Sequence, residues 1–296
     1  MTAQLGDGLV GTLLVHGPSS ANYDIDLGPV VLSDYYSYAA EEGFEMFNNF
    51  YNTQTGYPVP STVLVNGDMK SSDNKTGNYH SFSFTKGKNH LLSIINTSVD
   101  TVIDFSVDGH ELQVIAIDST PVQPKTMSSV AILHGQRMQI VVLADQKPGN
   151  YWLRAKTKTE CFCFIGNSQG GGLGIITYGG VQPAIPTSLP VTLDTTCLGA
   201  QGLQAYRPNN AGTAQAFLKQ FSQDDLNITL TFPVTPDGRS WGLDGSSEKV
   251  DWQTPLISSV LHTGPNIPAT ENIFQFPTNQ AWGYLVGLYA TSLMYY

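Results

Sequence analysis

Charge is what this 296-residue chain has least of: Asp, Glu, Lys and Arg together make up 13%, about half the share in an average soluble protein. The few charges it has are unbalanced, 24 acidic against 14 basic, for a net charge of -10. No Lys/Arg cluster offsets that sign locally, so a phosphate backbone would be repelled and nucleic acid is excluded as a partner. Long apolar runs are absent too. The stretch from Leu9 to Val15 is interrupted by Gly11 and falls far short of the roughly 18 residues needed to cross a bilayer, which excludes the membrane. The opening MTAQLGDGLVG has neither a basic region nor an apolar one, so no signal peptide is expected in this sequence. Cysteine is scarce, with three residues, and the six histidines (16, 80, 90, 110, 134 and 262) include no His-x-His pair. A metal site built from such isolated positions has no support in the spacing, and Cys161-Phe162-Cys163 beside Glu160 supplies half a site at most.

Glycine (29), proline (17) and tyrosine (14) are plentiful, and the 41% apolar content suffices for real cores. Alternation with period 2 dominates, between turn signals at the spacing of sandwiches and barrels. Strands are expected at Leu9–Val15, Val30–Leu32, Thr62–Val65, His90–Ile95, Val130–Leu133, Met138–Leu143, Tyr151–Arg154, Gly174–Tyr178 and Ile228–Phe232. Between Thr101 and Asp118, Ile103, Phe105 and Val107 alternate with polar residues, Asp108-Gly109 makes a turn, and Leu112, Val114 and Ala116 follow; this reads as an antiparallel hairpin. Helices are few, with candidates at Tyr38–Tyr51 and Ala214–Phe221. A Pro-rich stretch from Val181 to Pro190 and the polar, Gly-rich segment to Asn210 read as a linker between domains. A strand starting almost at Met1 and the apolar ending LVGLYATSLMYY lead us to expect missing neighbours at both ends.

Three motifs invite a chemical reading. The sequons at Asn74, Asn96 and Asn227 are glycan acceptors if the chain passes through a secretory compartment. In that compartment Cys197 is free to pair with Cys161 or with Cys163; the bland alternative is three idle thiols. Gly166-Asn167-Ser168-Gln169-Gly170 matches the nucleophile elbow of serine hydrolases, with His262 and several acids downstream. An elbow must open into a helix, however, and the Gly-rich, β-branched GGGLGIITYGG that follows suits a strand, so Ser168 stands as a remote alternative.

Taken in order, a dozen further stretches resemble the ascomycete laccases and their multicopper oxidase relatives. Gln4 to Gly11 with Val15-His16-Gly17-Pro18 resembles the end of that family's first domain. Tyr23-Asp24, Asp26-Leu27-Gly28-Pro29 and Leu32 to Tyr36 resemble the passage into the second. Leu64-Val65-Asn66-Gly67, Ile95 to Ser98, Asp108-Gly109-His110, Gly135-Gln136-Arg137 and Asn150 to Ala155 lie within that second domain. Trp241, Val250-Asp251-Trp252, Pro255 and Trp282-Gly283-Tyr284 follow the order of the third, so the likeness runs from residue 2 to about 286.

The resemblance implies an all-β chain of cupredoxin-like Greek-key β-sandwich domains, one complete and two truncated. The remnant of the first would occupy residues 1–20, the second 21–180, the linker 181–210 and an incomplete third 211–296. It implies a secreted parent enzyme that oxidises phenol-like donors one electron at a time and reduces O2 to water with four copper ions. Those ions are held through His-x-His motifs, because residues i and i+2 of a strand aim two imidazoles at one cluster. This sequence contains none of those motifs, so the chain by itself is expected to bind no copper and to be inactive. The resemblance further suggests a disulfide between Cys161 and Cys197, with Cys163 as an extra, and a place for Trp241 in the wall of the substrate pocket, where a core Trp is the bland reading. A carboxylate that anchors phenols in some relatives would fall near Thr76, so that anchor is missing. A metal-free cupredoxin pair acting as a binding or structural module is the competing interpretation.

Overall fold

The computed structural model describes residues 2–53, 55–73, 75–158, 171–193 and 202–208, together with 230–231, 234–235, 238–239, 242–243, 253 and 258. The chain divides into two compact units, Met1–Asn209 and Asn210–Tyr296. Cys161, Cys163, Ser168, Cys197, Asn74, Asn227 and Trp241 lie outside the described residues, as does the expected helix at Ala214–Phe221.

The first unit is a two-sheet sandwich. One sheet has six strands: β1 (Ile25–Tyr35), β2 (Thr62–Val65), β4 (Asn89–Asn96), β6 (Leu112–Ile117), β7 (Thr120–Met127) and β9 (Arg137–Leu143), in the order β2-β1-β4-β9-β6-β7. The other has five: β3 (His80–Phe84), β5 (Ile103–Val107), β8 (Val130–Ile132), β10 (Asn150–Thr157) and β11 (Gly172–Tyr178), in the order β3-β11-β10-β5-β8. Pairing is antiparallel except that β1 runs parallel to β4 and β3 parallel to β11. Consecutive strands repeatedly land in opposite sheets, the connectivity of a Greek-key sandwich. In the second unit the described strands are β12 (Leu230–Thr231), β13 (Val234–Thr235), β14 (Gly238–Arg239) and β15 (Gly242–Leu243), paired β12 with β15 and β13 with β14.

One continuous core fills the space between the two large sheets. Val30, Leu32, Leu92, Ile94 and Ile140 from the six-stranded sheet meet Phe84, Phe105, Val107, Leu153 and Ile176 from the five-stranded one, every one of them at 0% exposure. Alternation accounts for this, since residues two apart share a face and a single apolar face per strand suffices.

Two expectations need correction. The run from Thr101 to Asp118 is not a hairpin: β5 pairs with β10 and β8 in one sheet, while β6 pairs with β7 and β9 in the other. Asp108-Gly109 does make the tight turn, with Gly109 at φ 75 and the His110 amide donating to the Val107 carbonyl. That turn carries the chain across the core, so β5 and β6 face each other. Both arrangements bury the same alternating apolar set, and period 2 cannot tell them apart. The second correction is at Leu9–Val15, which forms no strand. A five-residue helix, α1 (Thr2–Gly6), comes first, and Leu9, Leu13 and Val15 follow in irregular backbone at 73%, 90% and 76% exposure. Alternation alone does not make a strand where no neighbouring ladder takes up the backbone groups. The helix expected at Tyr38–Tyr51 is present as α2 (Ala40–Thr53).

The segment after β11 is fastened to the sandwich for much of its length. Asn150 donates to the Gln182 carbonyl, the Trp152 amide donates to Ser188 Oγ, and a bridge joins Val122 to Ala205.

Asn96 shows how a motif can mislead. Its side chain is fully buried, its Nδ2 donates to the Thr101 and Ile132 carbonyls at 2.8 and 2.9 Å, and its Oδ1 accepts from the Ser98 amide at 2.9 Å. The amide that a glycan would occupy is thus committed to the β4–β5 turn, and Asn96 is withdrawn as a glycosylation site. Replacing Asn96 with Ala strips three buried backbone groups of their partner. The expected cost is about 3 kcal/mol of unfolding free energy, measured by denaturant titration, and the mass of the peptide carrying Asn96 from secreted protein should show no glycan.

Candidate functional site

Polar groups gather at one end of the sandwich, where the β5–β6 turn, the end of β11 and the start of β10 meet. Asp108 is the hub. Its side chain has 0% exposure, and both carboxylate oxygens accept from Arg154 on β10, Oδ1 from Nε and Oδ2 from Nη2, each at 2.7 Å. Ser188 Oγ donates to Oδ2 at 2.7 Å and in turn accepts from the Trp152 amide, so the segment after β11 is tied to the same carboxylate. A second buried pair, Lys158 with Asp104, joins β5 to the end of β10 at 3.0 Å. Such pairs specify geometry, because a partner left behind alone is costly to bury.

Beneath the turn lies a ring cluster. The His110 Nδ1 faces the Asp108 carbonyl at 2.8 Å; a carbonyl can only accept, so Nδ1 carries the proton. Its Nε2 must then accept from Tyr178 Oη at 2.7 Å. Tyr178 Oη accepts from the Gln146 amide, and burial pushes the phenol pKa up to about 12. Tyr151 closes one side, its ring centroid 5.1 Å from His110 and 5.6 Å from Tyr178. Phe84 stands between the two buried histidines, stacked on His90 at 4.3 Å and edge-on to His110 at 5.7 Å. His90 accepts the Thr85 amide at Nε2, which leaves the proton on Nδ1, and Nδ1 has no partner. Burial lowers the pKa of both His90 and His110 below the ordinary imidazole value.

The copper that the resemblance implies sets a chemical test that the three buried or half-buried histidines do not meet. A metal takes the unprotonated ring nitrogen, and on His110 that nitrogen serves Tyr178 while on His90 it serves Thr85. On His80 the Nδ1 proton goes to Asp68 Oδ2 at 2.8 Å, and Nε2 accepts from Asn66 at 3.2 Å. His16 and His134 are exposed, and His262 lies outside the described residues. Among the described residues no group of three His, Cys, Asp or Glu side chains could hold a metal ion.

Of the residues offered as sites by the sequence, only Asn96 lies among the described residues. Asn96 serves a turn. Thr76 has no carboxylate to offer, and its amide donates to Ser71 Oγ. The elbow at Ser168 lies outside the described residues, while the sandwich around it lacks the strand–helix alternation that elbow requires. The Asp108–Arg154–Ser188 and His110–Tyr178 networks were missed at the sequence level. Asp108-Gly109-His110 and Leu153-Arg154-Ala155 were both in view, but nothing in their spacing says that a turn and a strand 46 residues apart meet.

Comparison with known proteins now fixes the class. Residues 26–180 match the multicopper oxidase family. The chain is 34% identical over 286 residues to a laccase of Neurospora crassa and 31% identical over 290 residues to laccase-3 of Botryotinia fuckeliana, with 96% of this chain covered in both cases. It spans 44% and 62% of those two proteins, about half the length of the curated relatives it matches. Among solved structures, a point mutant of the laccase from B. aclada superposes with a TM-score of 0.74 at 27% identity, covering 93% of this chain and 48% of that one. Fet3p, described as a multicopper oxidase that functions in iron import, shares the fold at a TM-score of 0.60 and 18% identity, over 77% of this chain and 40% of its own. The chain belongs to the multicopper oxidase family, and its sandwich is cupredoxin-like.

Two measurements check this description. Asp108→Ala should cost about 3–5 kcal/mol, since it leaves the Arg154 guanidinium without its partner; Arg154→Lys, which loses the two-pronged geometry, should cost less. The lowered pKa values of His90 and His110 mean that the folded chain binds fewer protons than the unfolded chain below about pH 6.5. Their stabilising contribution is therefore complete above that pH and declines as pH falls toward the depressed folded values. Thermal midpoints should drop between about pH 7.5 and 6, above the carboxylate range, and the drop should be shallower in His90→Gln, which keeps an acceptor for Thr85 but cannot titrate.

Proposed function

We propose that this chain is a truncated laccase-type copper oxidase, with the second cupredoxin domain as its complete part, and that it does not itself assemble the copper centre. The observation that carries this reading is the conjunction of the family match over residues 26–180 with histidines whose free nitrogens are spent on Tyr178, Thr85 and Asn66. The full-length enzyme would oxidise phenol-like donors in one-electron steps and reduce O2 to water, chemistry that copper supplies. The described residues of this chain contribute rigidity: a sandwich whose ends are locked by buried ion pairs, against which copper-bearing segments can be held in place.

Finer parts of the proposal follow the family's pattern. Residues 1–20 belong with a first cupredoxin domain, 21–180 form the second, 181–210 link it onward and 211–296 belong to a third. Cys161 pairs with Cys197, Asn74 and Asn227 carry glycans, Trp241 lines the donor pocket, and the full-length enzyme is secreted. The competing interpretation, a copper-free cupredoxin module that binds a partner or a small molecule, draws on the same committed histidines.

Copper titration of the purified 296-residue chain separates these readings from a self-sufficient oxidase. The expected outcome is no blue absorption, no stoichiometric copper and no O2 uptake with a phenolic donor, with all three appearing when the chain is joined to family segments that carry His-x-His motifs. Blue, stoichiometric copper in the chain alone would overturn the proposal; failure of the joined protein to bind copper would favour the copper-free module.

A further inference from the structure

A cavity of about 580 Å³ lies on the outer face of the five-stranded sheet, under the segment that Ser188 ties to Asp108. Its floor is set by strand register: Ser106 on β5 pairs with Arg154 on β10, and Arg154 pairs with Leu173 on β11. Lys156, two residues along β10, points to the same face, and Val191 and Leu193 form a wall. In a chain of net charge -10, the nine lining residues include two cations and no acid. Asp108 is close by, but it is already met by Arg154 Nε and Nη2, which leaves Nη1 for another acceptor. Lys156 is exposed and makes no ion pair among the described residues.

Ser106 gives the second, independent indication. It is at 0% exposure, lines the cavity, and its Oγ has no hydrogen-bond partner. An orphaned buried hydroxyl is disfavoured unless something completes it. Its register partner Arg154 is turned to Asp108, and Asp104, two residues back along β5 and opposite Lys156, is turned to Lys158. Ser106, Arg154 and Lys156 thus stand on one face of the sheet, each with a donor that no described residue takes up, and Leu173, Val191 and Leu193 add aliphatic lining to the same space. The volume is that of a site for a small organic molecule, and donors without acceptors select a negative group.

We propose that this cavity binds a small organic carboxylate, its carboxylate held by Ser106, Arg154 and Lys156 and its apolar body against Leu173, Val191 and Leu193. The proposal does not depend on the copper reading, because every residue it uses lies in the first unit and none is offered as a metal ligand. It adds to the chain a site of its own for an acidic metabolite or an acidic aromatic, whether as ligand or as regulator.

Calorimetric titration of the 296-residue chain provides the test, with benzoate as the probe, benzamide as its neutral counterpart and inorganic phosphate as a bare anion. Saturable benzoate binding is expected, with benzamide and phosphate each at least about tenfold weaker. Lys156→Met, an exposed position whose loss leaves the fold intact, should weaken benzoate about tenfold, and Ser106→Ala several-fold. Thermal melts of both variants establish that they fold; if Ser106→Ala does not, Lys156→Met decides. Absence of saturation up to about 10 mM, equal binding of benzamide, or undiminished benzoate binding by Lys156→Met would overturn the proposal. Phosphate binding as tightly as benzoate would reduce the cavity to an adventitious anion site and overturn it as well.

Discussion

Burying a carboxylate completely is among the costlier things a protein interior can do, and this sandwich does it at Asp108, the point where the chain crosses from one sheet to the other. Desolvation of such a group runs to several kcal/mol, and it is offset only if donors arrive in the right geometry. Three donors come from two places: two nitrogens of Arg154 on β10 and the hydroxyl of Ser188 on the segment beyond β11. The Asp108 main-chain carbonyl meanwhile fixes the tautomer of His110, and His110 receives the Tyr178 hydroxyl from the end of β11. A single turn residue thereby sets the positions of β10, β11 and the strap that follows. If Asp108 moved, Arg154, Ser188 and His110 would each lose their orientation.

The same device recurs wherever the sandwich must turn. Asp34 collects the Val99 and Asp100 amides and the Thr101 and Tyr36 hydroxyls at the β4–β5 connection. Asn96 satisfies two backbone groups there, Ser98 and Thr101, and a third on β8, the Ile132 carbonyl. Lys158 and Asp104 clamp β5 to β10. Apolar packing between the sheets tolerates small sliding motions, because it has no direction. Charged and amide pairs do have direction, and their placement at the ends of strands fixes register and inter-sheet offset.

What could be read from the sequence was local, and what could not was the pairing of distant segments. Strands such as Met138–Leu143 and Tyr151–Arg154 were legible as short runs rich in Val, Ile, Leu and aromatic residues between turn signals. β7 (Thr120–Met127) was not, because Pro121 and Pro124 break its pattern; as an edge strand it can carry them. β3 carries the alternating HSFSF but stands outside the expected strands. The arch at Asp108-Gly109 was mistaken for a hairpin because a turn signal specifies a change of direction and says nothing about which sheet receives the next strand. The expected strand at Leu9–Val15 failed for the complementary reason: it has a strand's pattern but no neighbour among the described residues to pair with. The family likeness, spread over many short stretches, was the one long-range signal available, and it was the part of the reading that carried the fold.

The histidines show why composition and site are different questions. Three of the five described histidines are at least partly buried, a placement that invites a metal reading, yet each is a hydrogen-bonding group whose one lone pair is already given away. His90 goes further, with a buried N–H that nothing accepts and a ring stacked flat on Phe84. An imidazole in that position serves the packing of the core more than any polar role, and its cost appears as a lowered pKa. A ligand set requires the opposite arrangement: lone pairs left open, aimed at one point, with each second nitrogen held by an acceptor behind it. On a β-strand that convergence comes from residues two apart, and in this chain the positions two away from each histidine hold other side chains. Family membership and the chemistry of the described histidines are therefore separate questions, the first answered by likeness along the chain and the second by where each lone pair goes.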